Sequence, residues 1–373
     1  MSVPVILVGV GEMGRAWLRA VNDEPRAELA GIVDLDLTVA RRAAREAGAP
    51  QLPVSDDAVG LARETGAQAL INVTVPRAHH PVTTAALFAG LPVLSEKPVA
   101  QTLPEALSLA AAAEVTGELF MVSQSRRYNP QLYAFKEKAD QLGRPGILHS
   151  EFFKAPHFGG FREEMEHPLL VDMAIHPFDT ARFVLGSDPV SVYCEEFNPP
   201  WSWYRGDAAA SAIFEMAGGS RFAYTGSWCS PGRETSWNGE WRLSAEYGSA
   251  QWDGEQDPQW EGTEIALQAP HSADSTPHPD GAGIAGALSV FLEALEEGST
   301  PGGEVHQNIM SLVMVEAAVQ SSASAQKVTI DDVLERAREQ ALLEEKNPAV
   351  KGRLNSWSSV RSALDAVPES TEA

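Results

Sequence analysis

The feature that most constrains this chain is a run of three glycines near its start, Gly9-Val10-Gly11-Glu12-Met13-Gly14. It follows the β-rich segment Val3–Val8 and opens a helix-like segment, Met13–Val21. In a strand–turn–helix unit each glycine has its own task. Gly9 permits the tight turn, Gly11 lets the backbone approach a pyrophosphate, and Gly14 lets helix and strand pack closely. The helix start then offers N–H groups and its dipole to phosphate, with Glu12 and Met13 beside them. A second strand, Leu29–Val33, ends at Asp34, where a carboxylate can accept hydrogen bonds from an adenosine ribose. The spacing therefore predicts a dinucleotide-binding unit.

The first ~120 residues continue the alternation that implies a parallel sheet with crossover helices. Strands are expected at Ala69–Val73, Pro92–Leu94 and Leu119–Val122, and helices at Thr38–Ala47, Asp57–Glu64, His80–Ala89 and Pro104–Val115. Thr102-Leu103-Pro104-Glu105 reads as a helix start. After Ser125 the texture changes. A helix is expected over Asn129–Leu142, a strand over Ile147–Phe153, and a helical stretch over 172–185. Strands then follow at Val190–Glu195, Ala209–Met216, Arg221–Thr225, Trp241–Ala245 and Ala250–Trp252, with a hairpin turn at Ala217-Gly218-Gly219-Ser220. Glu255–Gly283 reads as an irregular connection, followed by helices at Ile284–Glu297, Ile309–Ser322 and Asp332–Glu344. The expected fold is an α/β Rossmann domain (1–125) followed by an α+β domain with a mainly antiparallel sheet (126–330). Residues 331–373 would add a C-terminal helix and a mobile tail.

Composition bears on partners. Asp and Glu number 51 against 28 Lys and Arg, a net charge of −23. Such a surface repels nucleic acid and anionic membrane. No apolar run approaches the ~18 residues of a membrane span, and the N-terminus reads as a strand, not a signal peptide. The two cysteines, Cys194 and Cys229, have no neighbours at metal-ligand spacing, so neither a disulfide framework nor a metal site is expected and a cytoplasmic setting is.

Asp34 repels a 2′-phosphate and favours NAD. Arg41 and Arg42, on the following helix, leave NADP open. Lys97, in Glu96-Lys97-Pro98, falls at the C-terminal edge of the parallel sheet, where ligands bind in open α/β folds. A lysine there can hold a hydroxyl and assist its loss of a proton, or it can be a solvated surface residue. Asp172-Met173-Ala174-Ile175-His176 places two polar groups four apart on one helical face. His176 suits a general base and Asp172 a group that orients it, although a lone histidine in such a segment is more often structural. Pro177 cannot donate to the carbonyl of Met173, so the helix is either kinked or just beginning there.

Together these residues resemble the glucose–fructose oxidoreductase / inositol dehydrogenase (Gfo/Idh/MocA) family. Thr74-Val75-Pro76 with His79, Arg126-Arg127-Tyr128-Asn129-Pro130 and Asp179 extend the likeness, which runs from Val5 to about Ile330. It implies a large open-faced sheet in the second domain, with a homodimer or homotetramer formed through that face. Lys97 would polarise a reacting hydroxyl, His176 would take its proton, and Asp172 would position substrate or His176. Asn72, Thr74, Pro76, His79 and Glu96 would line the cofactor. Gln124, Arg126, His157 and Arg162 would join Lys97, Asp172 and His176 around a sugar, cyclitol or related polyol. Two departures stand out: Ser123-Gln124-Ser125 where relatives often carry an asparagine, and Val75 between Thr74 and Pro76. Trp201, Trp203, Tyr204 and Trp228 could stack on a sugar ring or fill the core. Two alternatives remain at this level: an enzyme that retains NAD for transient oxidation during glycoside cleavage or epimerisation, and a non-catalytic ligand-binding protein on the same fold.

Overall fold

A computed structural model of the 373-residue chain describes residues 2–264, 266 and 278–366. The described residues divide into two compact units. The first comprises Met1–Ser125, Pro279–Ile309 and Leu334–Ala373, and the second Arg126–His278 and Met310–Val333.

The first unit is built on a parallel six-stranded sheet: β1 (Val3–Val8), β2 (Ala27–Val33), β3 (Val54–Ser55), β4 (Ala69–Asn72), β5 (Val93–Glu96) and β6 (Phe120–Ser123), in the order β3-β2-β1-β4-β5-β6. Val5, Ile6 and Leu7 are successive residues with no exposed surface, as expected of a strand covered on both faces. The helices between strands run where the alternation of β-rich and helix-like segments placed them, within a few residues. The segment after β5 starts its helix, Leu103–Thr116, with Thr102 Oγ1 accepting from the Glu105 N–H at 3.4 Å. In a parallel sheet every strand leaves at the same edge. The loops after β1, β2, β4, β5 and β6 therefore place Gly9–Gly11, Asp34, Thr74, Lys97 and Gln124 along one rim. The strand order reverses between β1 and β4, which is where such sheets open a ligand crevice.

The C-terminal segment departs from expectation. Instead of one helix and a tail, helices Ile330–Glu344, Pro348–Ser356 and Val360–Asp365 follow one another, and the contacts group residues from Leu334 onward with the first unit. The expected mobile tail, 368–373, lies outside the described residues. Asn347 caps the second of these helices by accepting from the Ala349 N–H, with Pro348 in its first turn, a start signal readable in the sequence.

A buried charge cluster holds this segment down. Glu114 accepts from Arg353 Nε at 2.7 Å and from Trp357 Nε1 at 2.9 Å. On its other side Glu114 Oε1 lies 3.3 Å from Nε2 of the fully buried His306, whose Nδ1 meets Glu304 at 2.7 Å. Burial alone would lower the His306 pKa, but the two carboxylates outweigh it and hold it up at about 9. A pKa above the ordinary 6.5 stabilises the fold fully below pH 6.5, and that contribution is lost as pH rises through about 9. The difference is worth ~3 kcal/mol. Tm is therefore expected to fall over this alkaline window, and His306→Gln to flatten the fall. An equally steep fall in the variant would remove His306 as its cause.

The second unit is built on an eight-stranded sheet. Its strands are β7 (Pro145–Phe153), β8 (Pro189–Phe197), β9 (Ala209–Met216), β10 (Arg221–Ser227), β11 (Glu240–Ala245), β12 (Gly248–Trp252), β13 (Gln259–Gly262) and β14 (Val328–Thr329). The order is β13-β12-β11-β7-β10-β9-β8-β14, antiparallel except for the β7–β10 pair. Gly218 and Gly219, with φ of +83° and +90°, make the hairpin turn between β9 and β10. The stretch read as an irregular connection contributes β13, which is too short for its period to show. One face of the sheet packs on the helix Ile175–Leu185, whose Phe178 ring meets Phe214, Phe222 and Tyr224 edge-on. The other face leaves Ile147, Tyr193, Phe197 and Ile213 exposed.

Candidate functional site

In the first unit the glycine loop has the geometry its sequence implied. Gly9 has φ +90°, and a Cβ there would lie 2.7 Å from the Val73 carbonyl oxygen. A Cβ on Gly14 would come within 2.2 Å of the Gly9 carbonyl oxygen. Gly11 differs: a Cβ on it would meet nothing within 4 Å. Gly11 is also the N-cap of helix Glu12–Asp23 and provides no side chain to its first-turn N–H groups. The loop thus keeps open the space above a helix start that lacks a side-chain acceptor, the arrangement that receives a pyrophosphate. Asp34 stands beside it, accepting from the Val10 N–H at 3.1 Å and the Asp36 N–H at 3.0 Å. These residues fit a dinucleotide.

Two residues expected to line the cofactor are structural supports instead. Asn72 and His79 have no exposed surface. The Asn72 carboxamide accepts from Thr74 Oγ1 at 2.7 Å and donates to Thr83 Oγ1 at 3.1 Å. The His79 ring lies between the carbonyls of Pro98, at 2.6 Å, and Thr74, at 2.9 Å, and burial lowers its pKa. A neutral ring donates to one of these carbonyls, and its position links the loop after β4 to the turn after β5. Thr74 and Pro76 keep surface on that loop.

Glu96 is also mostly buried. It accepts from Trp17 Nε1 at 2.8 Å and from the Lys97 N–H at 3.1 Å, while burial raises its pKa. Trp17, which the sequence did not single out, thereby fixes the turn that carries Lys97. The Lys97–Pro98 peptide is cis. Gln124, at the end of β6, is 2% exposed, and neither polar atom of its amide has a hydrogen-bond partner among the described residues. An unpaired buried amide is costly unless a ligand completes it.

In the second unit, His176 lines a narrow crevice with Arg126, Phe152, Met173, Trp237, Asn238 and Trp252. Of the two readings of Pro177, the helix start is the one observed. Pro168–Ala174 is a π-helical stretch, and an α-helix begins at Ile175, which places Pro177 in its first turn. Such π segments recur at functional sites. Asp172 lies in the π stretch and pairs with Arg162 at 3.0 Å. Arg162 in turn lies 5.1 Å from the ring centres of both Phe158 and Phe161. Asp179 belongs to Arg127, whose Nη2 lies 2.5 Å from its carboxylate.

Other expected contributors are occupied differently. His157 is exposed and stacks on Trp203, with ring centres 3.7 Å apart. Trp228 and Tyr204 are buried, donating to the carbonyls of Pro168 and Pro156, so of the two readings the core one holds for them. Trp237 and Asn238, absent from the sequence reading, line the crevice beside His176. Their stretch between β10 and β11 has no period, and Trp237 was one of nine tryptophans. Among the described residues no cluster of His, Cys, Asp and Glu could hold a metal ion, and no helix is long and apolar enough to cross a membrane.

Comparison with known proteins agrees with this geometry. Residues 3–124 match the model of an oxidoreductase family with an NAD-binding Rossmann fold, and residues 138–251 match the GFO/IDH/MocA C-terminal domain. A Sinorhizobium fredii protein, y4oX, is 25% identical over 369 residues, 92% of this chain and 100% of its own. Inositol 2-dehydrogenase 4 of Saccharopolyspora erythraea is 32% identical over 190 residues, about half of each protein (50% of this chain, 55% of the relative). Among solved structures, an Agrobacterium radiobacter oxidoreductase in complex with NAD+, L-tartaric acid and magnesium superposes with a TM-score of 0.77. That likeness covers 90% of this chain and 100% of that one at 20% identity, and it speaks to the fold. With both of its domains matched, the chain belongs to the Gfo/Idh/MocA family of NAD-binding oxidoreductases.

Proposed function

We propose that this protein is an NAD-dependent dehydrogenase or reductase acting on a CH–OH group of a sugar, cyclitol or related polyol. The crevice around His176 carries the reading. It combines a candidate base, a guanidinium, an amide and two indole rings, a lining that suits a hydroxyl-rich ring with apolar C–H faces. The inositol dehydrogenase relative supports the substrate class. NAD, when bound, supplies the hydride acceptor. On this reading Lys97 holds the reacting hydroxyl and weakens its O–H bond by its charge, and His176 takes the proton as hydride leaves the carbinol carbon. Asp172, paired with Arg162, lies four residues before His176 in the same unit. Oxidation of a panel of sugars and cyclitols, followed by NADH absorbance, tests the proposal. Product formation without net NADH would favour an enzyme that retains its cofactor.

Cofactor choice follows from Asp34. Removing its charge while keeping its shape, in Asp34→Asn, weakens the ribose interaction and lifts the repulsion of a 2′-phosphate. The ratio of kcat/KM for NADP to that for NAD is expected to rise roughly 10-fold or more. An unchanged ratio would mean that Asp34 does not face the ribose. We also propose that the exposed row on the second sheet (Ile147, Tyr193, Phe197, Ile213) meets a second copy of the chain, which the mass in solution by light scattering would show.

A further inference from the structure

Several partly buried cations of the second unit each sit against a carboxylate, and Arg126, at the crevice, does not. Arg127 pairs with Asp179 at 2.5 Å, Arg162 with Asp172 at 3.0 Å, Arg182 with Asp188 at 2.6 Å, and Lys154 with Glu234 at 2.9 Å. Arg126 has no carboxylate partner among the described residues. Its guanidinium donates to the Trp237 carbonyl oxygen and lies 5.7 Å from the Trp237 ring centre. The acidic group whose field reaches it, Asp172, is already engaged by Arg162. Desolvation is strong enough to draw the Arg126 pKa down to about 10, so the charge persists at neutral pH in a half-buried setting.

An unneutralised guanidinium in a partly dry crevice is costly unless a ligand supplies the opposite charge. This is a chain with a net charge of −23, in which carboxylates are abundant, yet none is spent on Arg126. A guanidinium presents five N–H groups in a planar fork that matches a carboxylate, and the bond to the Trp237 carbonyl uses one of them. Trp237 beside it offers an indole face to the C–H groups of a ring. We propose that the substrate of this site is a sugar acid, whose carboxylate is received by Arg126 while its ring lies against Trp237. This inference deepens the proposed function and rests on it for the identity of the reacting partner. It makes Arg126 a specificity residue and assigns it no chemical step.

Binding and turnover test the two ideas separately. The full chain, saturated with NADH so that no oxidation occurs, is titrated calorimetrically with three matched pairs: D-glucuronate and D-glucose, D-galacturonate and D-galactose, D-mannuronate and D-mannose. At least one uronate is expected to bind on the order of 100-fold more tightly than its neutral partner, an advantage that salt weakens. Arg126→Gln should abolish that preference, and Arg126→Lys, which keeps the charge without the fork, should retain part of it. NADH binding and the tryptophan circular dichroism of each variant verify folding. The proposal is overturned if no uronate is preferred, or if the preference survives in Arg126→Gln. NADH formation from either member of a pair is measured apart from this. Uronate binding without any oxidation would sink the dehydrogenase reading and leave the carboxylate site standing. Oxidation of neutral sugars with no uronate preference would do the reverse.

Discussion

Replacing His176 by alanine is expected to lower kcat for polyol oxidation by about 10²–10⁴-fold while leaving the affinity for NAD unchanged. The loss follows from the work assigned to the ring. An alcohol gives up a hydride only as its O–H proton departs, and without a base near neutral pH that proton must go to water. The affinity follows from location. The glycine loop and Asp34 lie in the first unit, and His176 lies in the second. A merely structural histidine would move both quantities together, through a lower folded fraction. The pH profile gives a second, independent readout. A titrating base imposes a fall in kcat/KM on the acid side, and that limb should vanish in the variant. On the proposed role of Lys97 in holding the hydroxyl, Lys97→Ala should cost a similar factor. If His176→Ala retained kcat within about threefold of the parent, the assignment of His176 as base would be lost.

How much of this was readable beforehand depends on the kind of information involved. The glycine loop could be read because each glycine answers a local backbone demand, and Gly9, at φ +90°, meets that demand as expected. The parallel sheet could be read because strands buried on both faces make unbroken apolar runs such as Val5-Ile6-Leu7. Assigning cofactor contacts by position was less dependable. Asn72 and His79 stand in the motif, yet both are wholly buried and hold the loop from behind. Sequence spacing does not distinguish a residue that touches a ligand from one that supports the residue that does. The charge pattern of the second unit was less accessible still. That Asp179 serves Arg127, that Asp172 serves Arg162, and that Arg126 is left over, depends on which side chains the folded sheet and helices bring together. Trp237 was hidden for the same reason, being in an irregular stretch with no period. The helix at Pro348–Ser356 is a different case: its Asn-Pro start was visible, and its docking through Glu114 was not.

The glycine loop yields the most discriminating pair of variants, because the structure separates two glycines that the motif treats alike. Gly14→Ala places a Cβ 2.2 Å from the Gly9 carbonyl oxygen, a backbone atom that cannot rotate away. Helix Glu12–Asp23 must therefore shift from β1, where Val5, Ile6 and Leu7 are fully buried, and Trp17 on that helix is fully buried too. Overpacking of this kind costs typically ~1–3 kcal/mol, and a rigid backbone neighbour places it at the upper end. Gly14→Ala is expected to lower Tm by several degrees, about 4 °C or more, with NAD binding weakened as a consequence. Gly11→Val behaves in the opposite way. Nothing within 4 Å opposes a Cβ there, so Tm should remain within about a degree of the parent in the absence of cofactor. The side chain would instead fill the space above the helix start and hold phosphate away from the first-turn N–H groups. Affinity for NAD is expected to fall by two orders of magnitude or more, roughly the loss of two charge-assisted hydrogen bonds. Thermal unfolding with and without NAD reads both effects in one experiment. The parent and Gly14→Ala should gain stability when cofactor is added, and Gly11→Val should gain none. Full NAD stabilisation of Gly11→Val would show that the pyrophosphate does not approach Gly11, and the dinucleotide would have to be placed elsewhere along the sheet edge.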